Sequence, residues 1–315
     1  MAWLLKRDRS RRSVRQFAAA AAVLACGPLL VGLAQSNPKS PDRKWTVSRT
    51  PAGRPDLQGV WTNYDPTPFE RLTAEEQRPR GPAVSTADWL VQDGPVSPQR
   101  TSMVVDPPNG RVPLRPEAVE QRDATLALAA NVIEHYGPWE RCITRGVPGS
   151  MFPGGYNNGH QIVQTPDHVV IHSEMIHEAR VIPLDGRPHL DASLRSWEGD
   201  SRGHWEGDTL VVDTTNFNGK GWIATNVAAG WLRGVPQSDA CHLVERFTRV
   251  DKDTLRYEFT VDDPATWTGK WSASIPMTRT DELIYEYACH ESNYGLEGVL
   301  KGARYEDQQK VKTQK

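Results

Sequence analysis

The sequence lacks an excess of charge of either sign: 37 Lys and Arg stand against 39 Asp and Glu, a formal net charge of −2. Six of the basic residues and one acidic residue fall within the first 34 positions, so the remainder carries −7. A mildly acidic surface has no electrostatic footprint for nucleic acid and gives no reason to expect binding to anionic membranes. Cysteine is scarce, at four. Cys26 sits near the N-terminus, leaving Cys142, Cys241 and Cys289, an odd number that allows at most one bridge. No Cys-x-x-Cys pair exists, and Tyr287 and Ala288 precede Cys289 and His290, which excludes c-type haem attachment. The chain also has no P-loop and no Gly-x-Gly-x-x-Gly opening a helix after a strand, which removes the commonest nucleotide-binding chemistries.

Long apolar runs are missing too. The one candidate, residues 17–34, is interrupted and close to the N-terminus, and it follows Arg11 and Arg12 in a twin-arginine pattern. Gly32, Leu33 and Ala34 supply the small residues that a signal peptidase reads, so residues 1–34 are expected to be a leader cleaved after Ala34. That address belongs to proteins exported already folded and places the product in the periplasm or outside the cell, with no membrane span remaining. An uncleaved anchor, or lipidation at Cys26 behind Val23, Leu24 and Ala25, is the alternative. In an oxidising compartment Cys142 with Cys289 is the preferred bridge, three free thiols being the alternative.

Proline, by contrast, is abundant. Ten of the 24 lie within residues 65–116, a density that no central strand or long helix tolerates. Residues 35–54 read as a linker and 62–136 as a wrapping segment. The wrap is expected to hold a short helix over 73–78, an edge strand near Met103 to Asp106, and a helix from Pro116 to about Tyr136 with Val119, Leu126, Ala130 and Ile133 on one face. Within 156–295 the apolar period changes to two. Leu255, Tyr257, Phe259 and Val261 alternate with Arg256, Glu258 and Thr260, and turn signals stand at Pro166-Asp167, Gly207-Asp208 and Asp251 to Asp253. With residues 284–289 as the last strand, this makes eight to ten antiparallel strands. The expected fold is all-β, a single domain over 55–302 whose meander closes into a barrel and hides its edges, with a frayed charged tail over 303–315.

Two clusters carry the residue types that chemistry needs. If residues 172–181 form one strand, His172, Glu174, Ile176, Glu178 and Arg180 share a face, with His172 and Glu174 parallel and about 7 Å apart. Such a pair serves as a base with its orienter, or as two ligands of a divalent metal. No cofactor is expected otherwise. The second cluster, His290, Glu291 and Asn293 after Cys289, would sit at a barrel mouth. Tyr156 and Asn157 follow a glycine-rich turn and could bring a phenol and an amide to the same mouth, while Trp222 and Trp231 would line an apolar or sugar-stacking pocket.

Across residues 55–61, 140–142, 161–164, 199–212, 245–247 and 285–294 the chain resembles a large family of uncharacterised exported proteins from environmental bacteria. The Gly59-x-Trp61 start followed by a meander is similar to the lipocalin and calycin superfamily. That resemblance implies a lipocalin-like barrel in which the tryptophan closes the floor. It implies no activity. The residues themselves point to an enzyme doing acid–base chemistry (hydrolysis, hydration, elimination or isomerisation) on a small organic molecule. In that reading His172 or His290 is the base, Glu174 or Glu291 the acid or orienter, and Arg180 and Asn157 hold an oxyanion or carboxylate. A non-catalytic carrier of an apolar ligand, or an envelope-interaction protein, is the alternative. N-terminal sequencing of the exported protein is expected to begin at Gln35; a start at Met1 or a lipid-modified Cys26 contradicts the cleavage reading.

Overall fold

Two antiparallel blocks joined by one short strand make the fold. The computed structural model describes residues 45–74, 100–127, 133–225, 227–291 and 293–313. The expected leader with Cys26, most of the linker and most of the helix expected over 73–78 lie outside these residues. No described helix is long and apolar enough to cross a membrane.

In chain order the elements are β1 (Gly59–Thr62), β2 (Val104–Asp106), α1 (Pro116–Ala127), β3 (Gly159–Gln164), β4 (His168–Ser173), β5 (Ala179–Pro183), β6 (Asp200–Glu206), β7 (Thr209–Thr215), β8 (Gly221–Trp222), β9 (Pro236–Gln237), β10 (His242–Arg249), β11 (Thr254–Asp262), β12 (Trp271–Thr280) and α2 (Tyr294–Thr313). Ten strands form one antiparallel sheet in the order β5-β4-β3-β1-β12-β11-β10-β7-β6, with β2 added on β12; β8 and β9 pair separately. The hairpin turns fall where the sequence places them, between β3 and β4, β6 and β7, and β10 and β11.

β1 is the stitch. It pairs with β3 on one side and β12 on the other, so Trp61 stands opposite both His160 and Arg279. Its indole is fully buried and donates to the Leu57 carbonyl at 2.8 Å. The guanidinium carbons of Arg249 and Arg279 lie 5.6 and 5.7 Å from the ring centroid, a favourable cation–π arrangement. A Cβ on Gly59 would meet the Arg279 guanidinium at 3.2 Å, and φ there is +130°, which explains glycine two residues before the tryptophan.

Alternation buries one face of every long strand. Leu243, Glu245, Phe247 and Arg249 of β10 turn inward, as do Leu255, Tyr257, Phe259 and Val261 of β11. The rings of Phe247, Tyr257, Phe259, Phe152 and Phe69 form a chain with successive centroids 4.5–5.5 Å apart. Phe152 and Phe69 come from loops, and the described part of the proline-rich wrap supplies core through Phe69, Met103 and Val104. Among these apolar groups lies a buried ion pair. Arg180 of β5 donates Nη1 to Glu245 Oε2 at 2.5 Å and Nη2 to Oε1 at 2.9 Å, and the Tyr257 hydroxyl donates to Oε1 at 2.9 Å. Burial opposes the Arg180 charge, but the Glu245 carboxylate more than offsets it, so the guanidinium pKa is raised.

β5 and β6, the two ends of the sheet, come within 8 Å at Cα but exchange no ladder. They meet through side chains instead: a Cβ on Gly203 would strike Leu184 and Ile182 at 2.6 and 2.9 Å.

Several expectations are corrected. Residues 284–289 form no strand, because β12 is already paired by β11, β1 and β2; Leu283 and Tyr285 are exposed. The charged tail is not frayed but belongs to α2, 20 residues long, where Leu296, Leu300 and Ala303 are half-buried at i, i+4 and i+7 and Glu297 pairs with Lys301. α1 is described over Pro116–Ala127, where Ala118 and Arg122 are buried and Val119 and Leu126 half-buried beside them; Ala130 lies outside the described residues and Ile133 opens a separate 3-10 turn.

Removing one partner of the buried ion pair leaves an uncompensated charge. Glu245→Ala is therefore expected to lower the urea unfolding free energy by about 3–5 kcal/mol, and the double variant with Arg180→Met to recover most of it. A single-variant loss below about 1 kcal/mol would show that the pair is not holding the fold.

Candidate functional site

The strand expected over residues 172–181 is broken, and the break builds the site. β4 stops at Ser173, a 3-10 turn occupies Met175–His177, and β5 starts at Ala179. Ile176 and His177 take φ of +64° and +37°, a strained left-handed conformation for a β-branched residue. His172 and Glu174 consequently do not project in parallel, which corrects the expected base-and-orienter pair. His172 lies on the outer face of β4, opposite Gln161 and half-buried. Glu174 turns inward and accepts the Asn157 amide Nδ2–H at 2.7 Å. His177 remains exposed, its Nδ1 accepting the Tyr287 backbone N–H at 3.2 Å.

Of the other expected residues, Glu291 and Asn293 share the wall of an open pocket of about 530 Å³ beside the bridge of Cys142 with Cys289, and the rest stand apart. Arg180 is bonded through Nη1 and Nη2 to Glu245. His290 and Glu291 are exposed in the segment after β12. Asn293 lies beside the bridge formed by Cys142 and Cys289, its Nδ2 3.4 Å from Cys142 Sγ. Trp222 is half-buried in β8 against Gly137, and Trp231 belongs to the 3-10 segment Val227–Leu232. Among the described residues no group of three or more His, Cys, Asp and Glu is placed to hold a metal ion.

What the fold brings together is a buried polar row behind the broken strand. Arg145 comes from a Gly- and Pro-rich loop. It is 2% exposed, its Nε and Nη2 have no hydrogen-bond partner, and its guanidinium lies 5.8 Å from the Trp139 ring centroid. Burial lowers its pKa to about 10, with Glu178, Tyr156 and Tyr287 working the other way, so it stays charged at neutral pH. The Arg145 backbone N–H donates to Glu178 Oε2 at 3.4 Å. Burial, then the neighbouring Glu198 carboxyl, pushes Glu178 up to about 8. The Thr144 hydroxyl donates to Glu198 Oε1 at 3.4 Å. Beside the Glu198 carboxyl, Glu178 thus keeps a proton where isolated glutamates are ionised.

His160 is buried beside them, its Nδ1 3.1 Å from Ser173 Oγ and its Nε2 without a partner. Burial, then the charges of Arg145 and Arg180, lowers it to about 3, so the ring is neutral. Cys241 is a buried free thiol, pushed up to about 12 by burial and then Asp263, and is unsuited to be a nucleophile. Gly199-Asp200-Ser201-Arg202-Gly203 spells Gly-x-Ser-x-Gly, but it leads along β6 instead of a strand-to-helix turn, and Ser201 is buried against Thr214 Oγ1 at 2.9 Å.

Two openings flank the row. A cavity of about 350 Å³ is lined by Phe69, Met103, Trp139, Arg145, Tyr156 and Met175, among others. Burial and the Tyr287 phenol raise the pKa of Tyr156 there. On the far side, the gap between β5 and β6 leaves a polar cleft of about 480 Å³, to which Arg180, Glu198, Asp200 and Arg202 contribute. Glu198 also lines a small enclosed space with Glu178, Ser173 and Arg180.

Arg145 and Glu198 escape a reading by pattern because neither stands at a repeating position, and Glu178 is placed by alternation on a strand that the structure breaks. Glu245 did carry a signal, as a charge on the inward face of an alternating strand. No protein-family model matches the chain, and no curated protein matches it.

A carboxyl whose folded pKa lies above its unfolded value stabilises fully below the unfolded pKa and loses that contribution as pH rises through the folded one. For Glu178 the window runs from the ordinary 4.5 to about 8. Across it, stability is expected to fall by at most about 1.4 kcal/mol per pH unit from this group, and Glu178→Gln to abolish that fall. Unfolding free energies against pH check this; parallel curves for the two proteins would contradict the retained proton.

Proposed function

We propose that the chain is an exported enzyme that performs proton-transfer chemistry on a small organic molecule bound beside Arg145. One arrangement carries the reading: the Glu178 and Glu198 carboxyls adjoin in a half-buried recess, where burial and then Glu198 push Glu178 up to about 8, and the other cation there, Arg180, is already neutralised by Glu245. A purely structural interior gains nothing from two adjacent carboxyls, and holding them together opposes folding at neutral pH. In this reading Glu178 carries the proton as general acid, and Glu198, which reaches the cleft between β5 and β6, exchanges it with solvent. Tyr156 supplies a phenol to the bound molecule and Glu174 with Asn157 fixes the wall around it. His172, His290 and Glu291 lie outside this arrangement and take no part in the reading.

The side-chain contact of β5 with β6 supports a sheet rolled into a lipocalin-like barrel. A bridge between Cys142 and Cys289 is consistent with an extracytoplasmic site of action, in keeping with the twin-arginine leader and the resemblance to exported bacterial proteins. A second reading, a carrier, is favoured by one specific feature: Glu178 stands behind Arg145 and does not line the cavity.

Turnover of small esters, epoxides and enolisable acids by the mature protein distinguishes the two. The enzyme reading expects kcat/KM to lose about 10²–10⁴-fold in Glu178→Gln, and the wild-type rate to decline as pH rises through about 8. A pH–rate profile unaltered by the substitution, or binding without turnover across the set, supports carriage instead.

A further inference from the structure

We propose that Arg145 anchors the carboxylate of an apolar-bodied organic acid in the cavity between Trp139, Phe69 and Tyr156. The inference rests on the reading of this cavity as the binding site, and holds for an enzyme and a carrier alike. Among the buried arginines of the described residues, Arg180 is held by Glu245, Arg122 by Asp123, and Arg249 by Ser48 and the Asp56 and Lys252 carbonyls. Arg145 differs, since its Nε and Nη2 have no acceptor. Nη1 stands 3.5 Å from the position of a Cβ on Gly154, a glycine of the cavity wall. The adjacent carboxyl does not cancel the charge: Glu178 meets Arg145 only at its backbone N–H and keeps its proton at neutral pH. Asp65, the acidic residue of the wall, is spent on Arg100 at 3.1 Å and on the Thr67 backbone N–H at 2.9 Å. The cavity therefore carries one uncompensated positive charge in a setting that screens little, and an anion is what completes it.

The same account selects the kind of anion. One guanidinium balances one negative charge, which fits a monocarboxylate and disfavours a phosphate dianion that would need further cations. The remaining surface is apolar: Phe69, Met103, Met175, Ala229, Pro66 and Pro153. Two more buried groups without partners, Thr67 Oγ1 and Trp139 Nε1, belong to residues of the same wall. At about 350 Å³ the space lies near the lower end of ligand pockets, so the body is limited to about one or two rings.

The test is calorimetric titration of the wild-type mature protein with aromatic and alicyclic monocarboxylates (benzoate, 1-naphthoate, cyclohexane carboxylate), each against its neutral amide. At least one acid is expected to bind about ten- to a hundredfold more tightly than its amide, the range for losing one hydrogen bond to a charged group. Arg145→Met should erase that preference and Arg145→Lys retain part of it, with thermal unfolding confirming that each variant folds. Where neither folds, Ala229→Leu, which fills the cavity and leaves Arg145 in place, should weaken acid and amide together. Failure of every acid to bind, or equal binding of each acid and its amide, overturns the proposal. Because the readout is binding, a failure of the proton-transfer reading leaves this outcome intact, and the converse also holds.

Discussion

The ion pair between Arg180 and Glu245 sets the terms for the rest of the molecule. It runs through the interior from β5, the strand at one end of the sheet, to β10, two strands short of the other end, and so ties together strands that no ladder joins. Two charges sealed among Phe247, Tyr257 and Ile171 are tolerable only with nearly every lone pair and proton matched, which the Tyr257 hydroxyl helps to achieve. Fixing Arg180 fixes the start of β5. The turn before it must then reverse direction within the five residues 174–178, and Ile176 and His177 absorb that turn in a conformation that non-glycine residues avoid. Glu178 is held inward between these two constraints.

Arg145 and Arg180 make an instructive contrast. Both are nearly excluded from water, yet one is saturated and the other retains two free donors. Saturation suits a cross-brace, because it removes any reason for the group to move or to bind. An unsaturated cation faced by a ring at 5.8 Å is a poor brace, since a ring quadrupole repays only a small share of the lost hydration. The same side chain, in one interior, is thus used in two opposite ways, and only the second leaves free energy to be recovered by a ligand.

Much of the sheet was legible. Alternation at Leu255 to Val261 and at Trp271 to Met277 depends on local burial and is written directly into β11 and β12. Compartment and parity allowed one bridge, and Cys142 with Cys289 was preferred because it would tie the segment before the sheet to a last strand; the bridge is there and that strand is not. The site was not legible, for two reasons. Alternation was carried across residues 172–181 because neither glycine nor proline marks the turn there; what imposes it is a long-range bond to Glu245, 65 residues away. Arg145 lies in a loop whose burial depends on Phe152, Trp139 and the segment after β12, none of which is near it in a repeating register. Residues 284–289 misled for the opposite reason, reading as strand where no free edge remained.

The bridge between Cys142 and Cys289 has a mechanical consequence. Its sequence separation of 147 closes a covalent ring that contains every strand except β1 and β2. Tension applied to the two ends of the oxidised chain enters the ring at Cys142 and leaves it at Cys289, bypassing everything between. Roughly 500 Å of contour length is withheld from extension. The first strand to peel is then β1, which is clamped within the ring by hydrogen bonds and packing alone. A covering that must survive strain at a cell surface would be latched in the same way, with the enclosing wall locked and only the tongue free to slip.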